Sequence, residues 1–144
     1  MAYCTQTDVE AAAGGAVKLK ELTDLAGAGA TNAVTLAAAI SAADEWINSF
    51  ARHRHAVPFV TVPDMIKTIS AEETVYRLKR RRNMVTSEDK EQHDEHLRWL
   101  EQLAKGLVSP GTEPPPPKSA AVAARIVGVG DAREITREKL GGYS

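Results

Sequence analysis

Read for the spacing of its apolar residues, the chain divides into helical stretches separated by short breaks of glycine, proline and polar residues. The clearest stretch runs from about Ala33 to Arg54, where Leu36, Ile40, Ala43, Ile47 and Phe50 recur at three- and four-residue steps and so form one stripe along a helix. Ahead of it, Thr7 and Glu10 in "TQTDVEAAAG" have capping-box spacing, which predicts a short first helix that stops at Gly14-Gly15. "AVKLKELTD" predicts a second short helix, and "LAGAGATN" a loop that ends with Thr31 or Asn32 as the next cap. Downstream, "HAVPFVTVP" loses helical spacing at Pro58 and Pro63 and reads as an extended crossing segment. Pro63 suits the first position of a helix, where its missing N–H costs nothing. That helix is predicted to continue to Arg82 with Met65, Ile66, Ile69, Val75, Tyr76 and Leu78 as its apolar positions. Thr86 or Ser87 starts another, with Leu97, Leu100, Leu103, Ala104 and Leu107 on one side and an end near Gly106. The expected fold is all-α, a small bundle of four to five helices with little strand.

The pattern changes after this body. "SPGTEPPPPKSAAVAARIVGVG" puts four prolines, Pro114 to Pro117, ahead of an apolar run, so the chain divides into a helical body over 1–109, a proline-rich linker over 110–118 and an extended C-terminal arm over 119–144. Consecutive prolines favour the polyproline II helix, which makes Glu113 to Lys118 a spacer of roughly 20 Å. The arm beyond it could reach on the order of 85 Å if extended, against a radius of gyration of about 13 Å for a body of this size. Val122, Ile126, Val127, Ile135 and Leu140 are too apolar to stay comfortably solvated and too diluted by Ala and Gly to build a core alone, which suggests burial on another chain with Tyr143 as a terminal anchor; a disordered low-complexity tail is the other reading the sequence leaves open.

Composition narrows the chemistry. At 144 residues, one domain plus an appendage is the default, and eighteen Lys and Arg against nineteen Asp and Glu leave a formal net charge of −1. No global bias points to nucleic acid or to an anionic membrane, so any electrostatic function must be local. A single cysteine, Cys4, excludes an intramolecular disulfide and a multi-cysteine zinc site. "MAYCTQTDVE" has no basic stretch followed by an apolar one, and no segment approaches the ~20 apolar residues that a membrane span needs, so neither a secretory leader nor a membrane partner is expected.

Three clusters of reactive side chains need weighing. His93 and His96 in "QHDEHLRW" are three residues apart on a helix and could share a face, but without further ligands they are expected to be packing or rim histidines, His93 on the buried stripe and His96 at its edge. His53 and His55 in "RHRHAVP" likewise lack a carboxylate or cysteine at a useful spacing. "RLKRRR" carries Arg77, Lys79, Arg80, Arg81 and Arg82, five basic groups in six residues. Phosphate contact is one reading; a solvated or intersubunit helix end, complementing the macrodipole and balanced by Glu72, Glu73, Glu88 and Asp89, is the favoured one. "LTDLAGAG" has no carboxylate after Asp24 and makes a poor calcium loop. No nucleophile elbow or glycine-rich phosphate motif is present, so no catalysis, metal or cofactor is expected.

"DAREITREKLGGYS" brings the parts together. With Tyr3, Asp8, "ELTD" at Glu21 to Asp24, "HAVPF" at His55 to Phe59, "TVPDMI" at Thr61 to Ile66, "VYRLKR" at Val75 to Arg80 and "LRWLEQLAKGLVSPG" at Leu97 to Gly111, it resembles the Mu-like bacteriophage family of small head-tail connector, or adaptor and head completion, proteins. The resemblance implies a structural virion protein of the head-tail neck, assembled in the host cytoplasm. It implies a homo-oligomeric ring, usually of twelve, between the portal protein above and a tail terminator or other tail or neck protein below, with packaged DNA passing through the lumen without sequence-specific contact. The interface residues would be the basic run Arg77, Lys79, Arg80, Arg81 and Arg82 together with Val122, Ile126, Val127, Ile135, Leu140 and Tyr143 of the arm. The chain departs from the family's pattern in the acid-free loop after Asp24, in His55 and His93 at positions that look usually aromatic, and in Glu73 at a normally apolar one. The alternative is a small DNA-binding or packaging accessory protein using Arg77 to Arg82; a metal-dependent enzyme at His93 and His96 ranks last.

Overall fold

The computed structural model describes residues 1–111, and among them five α-helices and no strand. They are α1 (Gln6–Ala13), α2 (Ala16–Thr23), α3 (Ala33–Ala51), α4 (Asp64–Arg81) and α5 (Ser87–Lys105). The all-α expectation holds, and most of the stops fall where local chemistry puts them. Gly14 closes α1 in the left-handed region at φ 89°, and Asn32 caps α3 by accepting from the Thr35 N–H at 3.0 Å. Thr86 and Asp89 form a reciprocal capping box at the start of α5.

Several boundaries shift. The box that starts α1 is Thr5 with Asp8, two residues ahead of the predicted Thr7 and Glu10: the Thr5 N–H donates to Asp8 at 2.7 Å, while Glu10 accepts from the Gln6 side chain. Pro63 is the cap of α4, one position ahead of the first helical residue. α3 stops at Ala51, and the turn that follows sends Arg54 to donate to the Lys105 carbonyl at 3.3 Å, closing the end of α5. Gly106, at φ 75°, suits that left-handed turn, and the Arg54 guanidinium lies 3.1 Å from where a Cβ would stand.

α3 and α4 form an antiparallel spine with an apolar cluster at each end. In one, Leu36 and Ile40 of α3 meet Ala71, Val75 and Leu78 of α4 under α1 and α2, which supply Val9, Leu19 and Leu22. In the other, Ile47 and Ala51 meet Ile66 and Ile69, closed by Phe59 and by Leu100 and Leu103 of α5. The N-terminal segment joins them through polar contacts. Tyr3 donates its backbone N–H to Asp44 at 3.0 Å and its hydroxyl to Asn48, and the same hydroxyl accepts from the Phe59 N–H at 3.1 Å. Ser70 donates to the other Asp44 oxygen at 2.6 Å. Burial raises the Asp44 carboxyl above its usual range against these bonds, and burial raises the Cys4 thiol as well.

Two predicted core positions face solvent. Met65 is 41% exposed because the buried stripe of α4 is set by Ile66 and Ile69, and a neighbouring position points about 100° away. Leu107 is 73% exposed because it follows the left-handed turn at Gly106 and has left the helix register. Tyr76 and Leu97 are half-buried.

Candidate functional site

The basic run occupies the last turns of α4, where cations complement the helix dipole. Its members have separate fates. Arg77 Nε lies 3.0 Å from a Glu73 oxygen as an ion pair whose N–H is not aligned on that oxygen. Lys79 reaches Asp89 at 2.7 Å, tying α4 to the start of α5. Arg82 donates to the backbone carbonyls of Glu21 and, at 3.1 Å, Asp24, and so caps the C-terminal end of α2. Only Arg80 and Arg81 stand exposed with no ion pair among the described residues. The Asp24 carboxylate accepts from the N–H groups of Ala28 at 2.9 Å and Gly29 at 2.7 Å, which hold it below the usual range and engage it in shaping its own loop.

Asp89 gives a pH test of the α4–α5 joint. Partial burial pushes its carboxyl up, but the Lys79 ammonium and the Thr86 cap outweigh this and hold it below the ordinary carboxylate range. A depressed carboxyl contributes stability that is present above its unfolded range and lost as pH falls through the folded one. Asp89→Asn is therefore expected to cost about 1 kcal/mol at neutral pH and progressively less below about pH 4. Urea titrations of both chains at the two pH values check it; a gap that persists unchanged in acid would contradict the assignment.

Beside this joint lies the most elaborate polar cluster in the described residues. The His93 ring sits between two aromatic faces, Trp46 of α3 at 5.2 Å between centroids and Tyr76 of α4 at 4.4 Å, with interplanar angles of 20° and 7°. Its Nδ1 is 2.7 Å from Glu73, whose carboxylate is almost wholly enclosed, the residue being 1% exposed. His96 Nε2 is 2.8 Å from Glu72. Glu72, Glu73, Tyr76, His93 and His96, together with Lys79, Asp89 and Gln92, line a cleft of about 60 Å³.

The sequence reading placed His93 inward and His96 at the edge; the structure reverses them. His96, Leu100 and Leu103 share the buried stripe of α5, which leaves His93 half-buried at its side. Among the described residues no three His, Cys, Asp or Glu side chains are arranged to hold a metal, and each histidine nitrogen that faces α4 has its own carboxylate. His53 is exposed, and His55 lies with its ring centroid 6.0 Å from that of Phe59. What the sequence reading missed is the pairing of Glu73 with His93. The signal was available: both residues stood out in the sequence as unexpected at their positions, and the two touch. A polar ring in an aromatic slot keeps its stacking if a carboxylate takes its N–H. The arm residues Val122, Ile126, Val127, Ile135, Leu140 and Tyr143 lie outside the described residues, as does the proline run of the linker.

No helix among the described residues is long and apolar enough to cross a membrane. These features define a small body, all-helical among the described residues and built on a two-helix spine. The chain belongs to the family described as Bacteriophage Mu, Gp36, whose model matches residues 3–127, a span that includes all five helices. It is therefore a Mu-like bacteriophage protein. No curated protein matches the chain.

Proposed function

We propose that this is a structural protein of the virion, a head-tail connector that forms an oligomeric ring, of about twelve subunits by analogy with similar adaptors, between the portal and the tail. The observation that carries the reading is the family match over residues 3–127, with the motif order from Tyr3 to Gly111 beside it. The fold supports it: two apolar clusters fill the body from residues within 1–111, so the body has a core of its own to carry an appended arm. No catalysis and no cofactor enter the proposal.

The DNA-accessory reading is weaker, because salt-sensitive phosphate affinity grows with the number of free cations, and three of the five basic groups between Arg77 and Arg82 have partners in the chain. Electron microscopy of the purified protein mixed with its portal tests the proposal. Rings seated on the tail-facing side of the portal are expected. A protein that never associates with portal, and instead binds duplex DNA with a steep salt dependence lost on replacing Arg80 and Arg81 by alanine, would overturn it.

A further inference from the structure

Two pairs of like charges on the spine have no partner of their own. On α3, Asp44 and Glu45 are consecutive, and both line a cleft of about 310 Å³ walled by Ala37, Ile40 and Pro58. Neither makes an ion pair among the described residues, and the Met1 ammonium acts on Asp44 only from beyond that distance. Burial raises the Asp44 carboxyl against its bonds to Ser70 and Tyr3, and the Glu45 charge adds to the rise. Asn48 opens on the same cleft although it is only 8% exposed. Its side-chain oxygen accepts from the Tyr3 hydroxyl, while its Nδ2 has no acceptor among the described residues.

The opposite charges stand on α4. Arg80 and Arg81 are consecutive, exposed and without an ion pair among the described residues. The carbonyls of Arg81 and Arg82, at the open end of that helix, accept no backbone hydrogen bond there. The two charge pairs cannot meet within one chain. Ser70 donates to Asp44 at 2.6 Å, and Arg80 lies about 15 Å further along the same helix, at about 1.5 Å of rise per residue, beyond the reach of one side chain. Between copies the features match. The acids of the cleft face two cations, its apolar wall suits their aliphatic stems, and the Asn48 donor finds a carbonyl at the helix end. Ala37, Ala38, Ser41 and Ala42 on the exposed face of α3 are small, so a second backbone can come close.

We propose that the cleft over Asp44 and Glu45 is a docking site for a second copy of this chain, and that it takes Arg80 and Arg81 at the end of that copy's α4. The contact joins two different patches, so it is heterologous, the kind that closes into a ring or runs on as a filament. It rests on the connector reading above and adds to it which faces of neighbouring subunits meet. Charge pairs at the rim of an interface fix register and exclude wrong partners more than they add affinity. The contact is therefore to be measured where the portal already gathers the copies.

Full-length chains mixed with portal, with complete rings counted by electron microscopy, test it. Glu45→Arg, and separately Arg80→Glu with Arg81→Glu, should each lower the share of portals that carry a ring by about tenfold or more, because like charges then face each other. All three residues are exposed, so circular dichroism should stay unchanged. A chain carrying all three changes should recover most of the rings, since the signs are exchanged across the contact. Rings that survive either reversal, or that the triple change does not recover, would sink the contact and leave the connector reading standing. Loss of rings on reversing the cleft alone, with the arginine reversal harmless, would assign the cleft to the portal and equally overturn the proposal. Wild-type chains that never form a ring on portal would overturn both readings.

Discussion

A chain ending at Gly111 is expected to keep its helices, remain a monomer, and fail almost completely to join tails to filled heads. Among the described residues, the two apolar clusters of the body draw on Tyr3 through Leu103, with Val108 packed against the second, and truncation keeps all of these side chains. Under the connector proposal, the deleted Val122, Ile126, Val127, Ile135, Leu140 and Tyr143 supply burial between chains, and an assembly that loses such a latch in every subunit loses it many times over. Circular dichroism and sedimentation measure the first part, and complementation of tail joining measures the second. Loss of helicity would mean that the body depends on the arm for its own core, and unimpaired joining would remove the arm from assembly.

Leu100→Ala is expected to cost about 2–5 kcal/mol, a large part of the ~5–15 kcal/mol that a domain of this size has in total. The side chain is fully buried in the cluster that α5 closes, and apart from Leu103 no other apolar residue of that helix is fully enclosed. The matched controls are Met65→Ala and Leu107→Ala, which should stay within about 0.5 kcal/mol because both side chains stand in water. Urea midpoints of the three variants decide it. A Leu107→Ala chain as damaged as Leu100→Ala would show that the helix continues through Gly106 and that the register given for its end is wrong.

The joint between α4 and α5 shows why parts of the site were hidden in the sequence. Lys79 and Asp89 were legible as a balance of charges near a helix end, and the structure makes them a 2.7 Å pair. Arg82 was legible only as one more member of a basic run. Its use, capping the carbonyls of Glu21 and Asp24 some sixty residues earlier in the chain, depends on α2 ending beside the end of α4, which no local pattern encodes. Glu73 falls on the inward stripe of α4 by its spacing from Ile66 and Ile69. What satisfies its charge could not be read until His93 arrived from another helix.

The order and approximate limits of the helices, though not whether there are four or five, were determined by the sequence alone, because those features depend on interactions within a few residues. Apolar spacing marked α3 through α5, the Thr86 box started α5, and Gly14, Asn32 and Gly106 set ends through backbone conformation or a single capping bond. Only the tertiary structure decided which side chains meet. The Tyr3 hydroxyl between Asn48 and Phe59, the Asp44 carboxylate between Tyr3 and Ser70, and the His93 ring between Trp46 and Tyr76 join residues far apart in the chain. Such bonds are selected by the packing of α3 against α4 and by the cost of burying a polar group without a partner, and that cost is set only when the whole body closes.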